Sequence, residues 1–236
     1  MTAQQKVVIV TGASQGIGAA LVTAYRERGY GVVATSRSIA EGPDPDIVAV
    51  NGDIGDPSTA ERVVAEAMSR FGRIDTLVNN AGLFIAKPFV DYTVADFTAK
   101  ISTNLAGFFH ITQRAAAEML KQGSGHIVSI TTSITDQAMA SVPAALANLT
   151  KGGINSATKA LVIEYAAKGV RVNAVSPGIV KTPMHPAETH EFLAALHPMK
   201  RMGEIRDVVE AVLYLETAGF VTGEILHVDG GQNAGH

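Results

Sequence analysis

A glycine-rich segment near the start of the chain has the spacing of a phosphate-binding loop. The apolar run Val7–Val10 is followed by Thr11–Gly18 and then by a helical pattern. Glycines permit a tight turn and let the backbone approach a bound pyrophosphate closely. The start of the following helix offers free N–H groups and the positive end of its dipole to the phosphates. The segment therefore predicts a dinucleotide site between the first strand and the first helix.

The spacing of the loop, Gly-x-x-x-Gly-x-Gly, resembles the signature of the short-chain dehydrogenase/reductase family. Further segments match that family in the same order along nearly the whole chain: Asp53, Asn79–Gly82, Asn104, Lys151, Ser176–Gly178 with Thr182, and Asp229–Gly231. The resemblance implies an α/β fold, in which residues 1–236 form a single doubly wound (Rossmann) domain. That domain would have a seven-stranded parallel sheet with helices on both faces. A small-molecule substrate and assembly into a homotetramer or homodimer are implied as well.

The same resemblance implies a set of cofactor-binding residues. They are Gly12, Ser14, Gln15, Gly16, Ile17, Gly18, Ser36, Arg37, Asp53, Ile54, Asn80, Ala81, Gly82, Lys151, Pro177, Gly178, Ile179 and Thr182. In the family pattern, Asp53 accepts a hydrogen bond from the adenine amino group. Lys151 holds the ribose hydroxyls.

The end of the second strand indicates which nicotinamide cofactor binds. An acidic side chain usually holds the ribose 2′-hydroxyl of NAD at this place, whereas this chain has Thr35, Ser36 and Arg37. Hydroxyls and a guanidinium would accept the 2′-phosphate of NADP, which a carboxylate would repel. We therefore expect NADP(H) rather than NAD(H), although Gln15 stands where the family often has a second basic residue.

Members of the family combine an Asn, a hydroxyl residue, a Tyr and a Lys in general acid–base catalysis of hydride transfer. The resemblance assigns Asn104 and Lys151 to two of these places. It assigns Thr132 or Ser133 to the hydroxyl that steadies the substrate oxygen. The family spacing Tyr-x-x-x-Lys places Ala147 where the proton-donating tyrosine is expected. None of the five tyrosines of the chain stands four residues before a lysine.

Three groups could supply the proton in place of a phenol. Water could be the donor, because Ala147 leaves a phenol-sized gap beside Lys151. Lys151 could act itself, because burial and a nearby cationic nicotinamide would depress its pKa. The third group is a histidine of the segment 181–203, since histidine titrates near neutrality. The candidates are His185, His190 and His197.

Short apolar runs alternate with helical patterns along the chain, which is typical of a parallel sheet with right-handed crossovers. The predicted strands are Lys6–Thr11, Gly31–Thr35, Ile47–Val50, Thr76–Asn79, His126–Thr131, Arg171–Ser176 and Glu224–Val228. The predicted helices are Ile17–Arg28, Ser58–Phe71, Val94–Gln122, Ala144–Lys168 and Ile205–Thr217. The segment 181–203 interrupts the pattern and is predicted to be a lid over the substrate.

The composition excludes several classes of function. The 236 residues include no cysteine, which excludes disulfides, thiol nucleophiles and thiolate metal sites. His185, Glu188 and His190 fit no strong metal-binding spacing, so no metal is expected. A net charge of −3 without a Lys/Arg cluster argues against nucleic acid as a partner. No signal-peptide pattern is visible and no apolar run reaches the roughly 20 residues of a membrane span, so a cytoplasmic protein is expected.

Three functions fit these observations. The first is an NADP(H)-dependent oxidoreductase that transfers a hydride between nicotinamide and a carbonyl or alcohol, with a non-standard proton donor. The second is a catalytically degenerate NADP(H)-binding protein that acts as a redox sensor or structural partner, as Ala147 would allow. The third is an enzyme of another reaction class that keeps only the cofactor or its pocket.

Overall fold

Seven parallel strands form one sheet in a computed structural model that describes residues 4–235. Residues 1–3, part of the polar N-terminal stretch, and His236 lie outside the described part. The strands are β1 (Val7–Thr11), β2 (Gly31–Ser36), β3 (Ile47–Asn51), β4 (Thr76–Asn79), β5 (Gly125–Ile130), β6 (Val170–Pro177) and β7 (Ile225–Val228). Their order across the sheet is β3-β2-β1-β4-β5-β6-β7. The predicted α/β fold with a seven-stranded parallel sheet is confirmed.

Helices cover both faces of the sheet. They are α1 (Gly16–Glu27), α2 (Pro57–Phe71), α3 (Val94–Lys100), α4 (Gly107–Gln122), α5 (Ala145–Tyr165), α6 (His190–Ala195) and α7 (Ile205–Thr217). Val8 and Val10 of β1 share one core with α1 and α7, whereas Ile9 shares the opposite core with α2, α4 and α5. Strands buried on both faces read as continuous apolar runs, which is why they could be predicted from the sequence. Within residues 4–235, none of these helices combines the length and the apolar character that a membrane crossing requires.

The order of the sheet reverses at β1. This strand pairs with β2 on one side and with β4 on the other. In open parallel sheets, the loops that leave the carboxyl ends of two such strands diverge and leave a crevice between them. The glycine loop after β1 and the segment after β4 therefore face each other across this crevice.

The predicted helix over Val94–Gln122 is wrong as a continuous α-helix. A π-helical segment, Ile101–Ala106, separates α3 from α4. It contains Asn104, whose amide group bonds to the backbone of Leu83 and to the hydroxyl of Thr150. These partners lie in other parts of the chain, so hydrophobic periodicity could not reveal the interruption. Single π-helical turns are frequent at functional sites.

The predicted lid, residues 181–203, contains structure of its own. It holds a 3₁₀ turn, Ala187–Thr189, and the short helix α6. Its two ends are joined, because the N–H of Lys181 donates to the carbonyl oxygen of Gly203 at 2.9 Å. The N–H of Gly203 in turn donates to the carbonyl oxygen of Ile179 at 2.9 Å. The segment therefore leaves β6 and returns to the start of α7 as a closed loop.

Candidate functional site

The loop between β1 and α1 has the geometry of an anion cradle. Gly12 and Gly16 have φ values of 65° and 57°, in the left-handed region that favours glycine. A Cβ added to Gly18 would lie only 2.2 Å from the carbonyl oxygen of Gly12. Helix α1 has no side-chain cap at its N-terminus, so its first N–H groups are open to an external acceptor. The loop therefore fits the pyrophosphate of a dinucleotide.

Asn80 ties this loop to the segment that follows β4. Its Nδ2 donates to the carbonyl oxygens of Thr11 at 2.9 Å and of Gly12 at 3.1 Å. The N–H groups of Asn80 and Ala81 both donate to the hydroxyl of Thr11 at 3.0 Å. These bonds lie at the reversal of the sheet order and hold the two walls of the crevice at a fixed separation.

A cleft of about 490 Å³ runs along the carboxyl ends of the strands. It gathers most of the predicted cofactor residues: Gly12, Ser14, Gln15, Gly16, Ile17, Ser36, Arg37, Asp53, Ile54, Asn80, Ala81, Gly82, Lys151, Pro177, Gly178, Ile179 and Thr182. Gly18 does not line the cleft. It lies beneath the loop, where its missing side chain lets the loop close.

One end of the cleft carries the residues that bear on cofactor choice. The Nδ2 of Asn51 donates to the carbonyl oxygen of Arg37 at 3.0 Å, which fixes the turn after β2. The Arg37 side chain is exposed, and none of the ion pairs among residues 4–235 involves it. Asp53 accepts the N–H of Gly55 through Oδ1 at 2.9 Å and also lines the wall. The guanidinium of Arg37 is thus available to an anion in the cleft.

Lys151 also lines the cleft. Its Nζ donates to the carbonyl oxygen of Ile130 at 2.6 Å. Burial, and after it the charge of Lys100, lower the pKa of Lys151 to about 8. A Cβ on Gly82 would lie 3.0 Å from this Nζ, so the backbone passes close to the amine. Lys151 can therefore exist both as the neutral amine and as the ammonium near neutral pH.

Asn104 lies behind Lys151 and does not line the main cleft. Its Oδ1 accepts the N–H of Leu83 at 2.8 Å, and its Nδ2 donates to the Thr150 hydroxyl at 3.1 Å. A small cavity beside the main cleft is lined by Asn104 and Lys151 together. Asn104 therefore joins the loop after β4 to the helix that carries Lys151.

The two candidate hydroxyls have different environments. Thr132 lines the cleft. Ser133 is buried, and its Oγ donates to Oε1 of Gln232 at 2.8 Å. The structure thus brings Thr132, and not Ser133, to the wall that a substrate would touch.

Ala147 is enclosed by apolar side chains. It is 1% exposed and packs in a cluster with Ile134, Met139 and Ala144, against which Phe84 also lies. These neighbours surround the methyl group, and Ala147 itself does not line the main cleft, whereas Lys151 does. The open volume lies over Lys151 instead.

The three histidines of the lid are in three different places. His185 lines the cleft, and burial lowers its pKa. His190 bonds through Nε2 to the carbonyl oxygen of His185 at 3.0 Å. His197 is buried, and its Nε2 accepts the N–H of Ile179 at 3.0 Å. Among residues 4–235, no three histidine, aspartate or glutamate side chains are grouped as a metal site would require.

The part of the cleft beyond Lys151 is lined by apolar residues that sequence reasoning did not assign to the site. They are Leu83, Phe84, Ile134, Met139, Val142, Met184 and Leu193. They come from the loop after β4, the segment after β5 and the lid. Their apolar character was visible in the sequence, but only the folding of three separate loops over one place makes them a pocket.

Comparison with known proteins agrees with this geometry. Residues 12–233 match a family model described as enoyl-(acyl carrier protein) reductase. The 3-oxoacyl-[acyl-carrier-protein] reductase FabG of Staphylococcus aureus is 32% identical over 241 residues, which are 96% of this chain and 97% of that protein.

Two solved structures extend the likeness. ElxO with NADP bound superposes with a TM-score of 0.91 at 28% identity, covering 98% of this chain and 100% of the other. The 3-ketoacyl-(acyl-carrier-protein) reductase of Brucella melitensis, complexed with NADH, has a TM-score of 0.89 at 29% identity, with 97% and 98% covered. The matched length, the sheet order and the cradle at the reversal of the sheet agree in one assignment. The chain belongs to the short-chain dehydrogenase/reductase family of NAD(P)-dependent oxidoreductases.

Proposed function

We propose that this chain is an NADP(H)-dependent oxidoreductase that transfers a hydride between nicotinamide and a carbonyl or alcohol carbon, without a phenol as proton donor. The observation that carries the proposal is the continuity of one cleft from the loop at Gly12 to the amine of Lys151. Beyond Lys151 the cleft opens into the apolar pocket described above, which suits a substrate with apolar groups beside its carbonyl.

Three side chains at or beside the cleft would have separate roles in such a reaction. When bound, the nicotinamide supplies or accepts the hydride. Lys151 would hold the ribose hydroxyls through Nζ, and the hydroxyl of Thr132 would donate to the substrate oxygen. Asn104 acts behind them, because its bond to Thr150 fixes the helix turn from which Lys151 projects.

Lys151 is the group that we assign to proton transfer. With its pKa lowered to about 8, its ammonium can give a proton and its amine can take one near neutral pH. The position of Lys151 supports this assignment, because its amine lines the cleft whereas Ala147 is 1% exposed and does not. His185 is the alternative donor, since it also lines the cleft.

The preference for NADP(H) rests on the turn after β2. Ser36 and Arg37 line the cleft there, and neither carries the negative charge that would repel a 2′-phosphate. A guanidinium can bind such a phosphate through two parallel hydrogen bonds.

The proposal is tested by binding and turnover. The fluorescence of NADPH should change on addition of micromolar protein, and that of NADH should change less. A panel of carbonyl substrates with NADPH should show turnover, and Lys151→Ala should reduce it by about 10²–10⁴. Turnover that Lys151→Ala leaves unchanged would contradict the assignment of Lys151, and His185→Ala would then be examined as the donor variant.

A second candidate function is a catalytically degenerate NADP(H)-binding protein that acts as a redox sensor or structural partner. The alanine at position 147 favours it, since Ala147 stands where the family spacing Tyr-x-x-x-Lys has the proton-donating tyrosine. The two functions are separated by Ala147→Tyr. Absence of turnover in the natural chain, with NADPH binding retained and activity gained in Ala147→Tyr, would support the degenerate protein.

The natural unit is proposed to be one cofactor-binding domain over residues 1–236, with a lid at 181–203, assembled as a homotetramer or homodimer. The support is a group of exposed apolar side chains on α3, α4 and α5: Phe97, Phe109, Leu149 and Ile163. Light scattering after size exclusion would test the assembly, and a monomer at all concentrations would contradict it. Cytoplasmic localisation and the absence of a nucleic-acid partner stay predictions from the sequence.

A further inference from the structure

Lys100 is a buried cation that the fold does not explain. It is the last residue of α3, and its side chain is 0% exposed. Its Nζ has no hydrogen-bond partner among the described residues and lies 5.3 Å from the ring centroid of Phe84. An ammonium removed from water without a carboxylate is costly, and the face of an aromatic ring compensates for little of that cost. A residue held at such a cost is a candidate for a functional role.

The surroundings of Lys100 connect it to the proposed reaction centre. Asn104, one helical turn later, bonds to Thr150, the neighbour of Lys151. Phe84, over which the Lys100 ammonium lies, packs against the apolar cluster that contains Ala147. Helix α3, which ends at Lys100, also packs against α5, the helix that carries Ala147 and Lys151.

The groups around the two lysines are almost all uncharged. The loop after β4 contributes Gly82 and Phe84, the π-helical segment contributes Asn104, and β5 contributes the carbonyl oxygen of Ile130. His185 of the lid is the titratable group on the cleft side. Burial lowers the pKa of Lys100 to about 8, and no described carboxylate offsets the charge of either lysine.

We propose that Lys100 is a positioning residue for proton transfer: its buried charge keeps the amine of Lys151 ready to exchange a proton with the substrate oxygen near neutral pH. This inference rests on the proposed function, because it assigns the proton to Lys151. A lysine beside a second cationic group in an apolar site is a recognised way to obtain an amine that is partly neutral.

The proposed step balances in the direction of reduction. The carbonyl carbon accepts the hydride from the reduced nicotinamide, which becomes oxidised, and the π bond between carbon and oxygen breaks. The oxygen takes a proton from Nζ of Lys151, so that an alcohol and a neutral amine remain. The amine recovers its proton from solvent. The charge of Lys100 favours loss of the proton from Lys151 and does not itself contact the substrate.

The first test uses the cofactor-free protein and does not depend on activity. Lysines labelled with ¹³C at Cε report their own protonation by NMR, and Lys151→Met identifies the signal of Lys151. In Lys100→Met, which removes the charge and keeps the length, the titration midpoint of Lys151 should rise by about one pH unit. Lys100→Arg, which keeps the charge, should leave the midpoint near its natural value. An unchanged midpoint in Lys100→Met would overturn the proposal.

A matched control and a folding check accompany these variants. Lys159→Met removes an exposed lysine from the same helix as Lys151 and should leave the midpoint unchanged, because solvent screens its charge. Lys100→Met should unfold at the same temperature as the natural chain or higher, since it removes a buried, unpaired charge. If Lys100→Met fails to fold, Lys100→Gln serves in the same measurement.

The second test measures the pH dependence of NADPH oxidation in a single turnover with a carbonyl substrate. The rate should fall as the pH rises through the pKa of Lys151, and the fall should move to higher pH in Lys100→Met but not in Lys100→Arg. Turnover with an unchanged pH profile in Lys100→Met would overturn the inference and leave the proposed function standing. A shifted NMR midpoint without turnover in any variant would uphold the coupling of the two lysines and overturn the proposed function.

Discussion

Ser133 Oγ donates a hydrogen bond to Oε1 of Gln232 across 2.8 Å, and both residues are buried. The hydroxyl of Ser133 is therefore occupied by the C-terminal segment, whereas its neighbour Thr132 lines the cleft. The family pattern allows either Thr132 or Ser133 to bind the substrate oxygen. Their different environments predict that substitution of Thr132 affects activity and substitution of Ser133 affects stability.

Thr132→Val removes the hydroxyl and keeps the shape of the side chain. We expect it to lower kcat/KM for a carbonyl substrate by about 10–100-fold, which corresponds to about 1.5–3 kcal/mol for a hydrogen bond to a charged group. The unfolding temperature should hardly change. Ser133→Ala should do the reverse and lower the free energy of unfolding by about 1–3 kcal/mol, because it leaves Gln232 Oε1 buried without a donor. Steady-state kinetics and urea unfolding of both variants check this, and a larger kinetic loss in Ser133→Ala would contradict the assignment.

Gly18→Ala should disable the cofactor loop. The new Cβ would lie 2.2 Å from the carbonyl oxygen of Gly12, so the loop or the start of α1 must move. Overpacking of this kind costs about 1–3 kcal/mol of stability, and we expect NADPH binding to be lost with it. Gly42→Ala is the matched control, because no atom lies within 4 Å of its added Cβ. Unfolding temperature and NADPH fluorescence are the measurements, and tight binding by Gly18→Ala would show that the loop is not the phosphate site.

Arg37→Ala should weaken NADPH binding more than NADH binding. Loss of a charged hydrogen bond of about 1.5–3 kcal/mol predicts a Kd for NADPH that is about 10–100-fold higher. Ser36→Asp places a carboxylate at the same turn and should favour NADH, because the carboxylate repels the 2′-phosphate. Kd values from fluorescence titration at constant ionic strength check both variants. Equal effects of Arg37→Ala on the two cofactors would remove the reason for preferring NADP(H).

His197 predicts how stability depends on pH. Burial lowers its pKa from the ordinary value of 6.5, so the folded chain holds it neutral, with Nε2 as acceptor for Ile179. Below pH 6.5 the unfolded chain binds a proton that the folded chain does not. Stability is therefore full above this pH and falls as the pH drops towards the folded pKa.

His197→Gln separates this contribution from others. Because His126, whose pKa burial also lowers, contributes in the same direction, the fall in acid should be reduced in His197→Gln and not abolished. The variant should also be less stable at pH 8, since it loses the hydrogen bond from the N–H of Ile179 to His197 Nε2 that anchors the lid. Urea unfolding between pH 5 and 8 is the measurement. An equally steep fall in the variant and the natural chain would show that His197 is not the responsible group.

The chain's apolar runs determined much of the fold without reference to contacts between distant residues. A strand buried on both faces needs an unbroken apolar run such as Val7–Val10, so the seven strands and their parallel arrangement could be predicted. The glycine loop could also be predicted from the sequence, because positive φ values and close backbone approach require glycine at Gly12 and Gly16.

Other features were decided by tertiary structure alone, because they depend on which distant side chains meet. Ser133 and Gln232 are far apart in sequence, and no residue near Ser133 indicates that its hydroxyl bonds to Gln232. The π-helical segment at Asn104 and the closed surroundings of Ala147 likewise result from contacts with other loops. In the sequence, Lys100 is one polar residue within a helical pattern. Only folding places its ammonium over Phe84 and packs α3 against the helix of Lys151, where low polarity makes a charge act over a longer distance than it would in water.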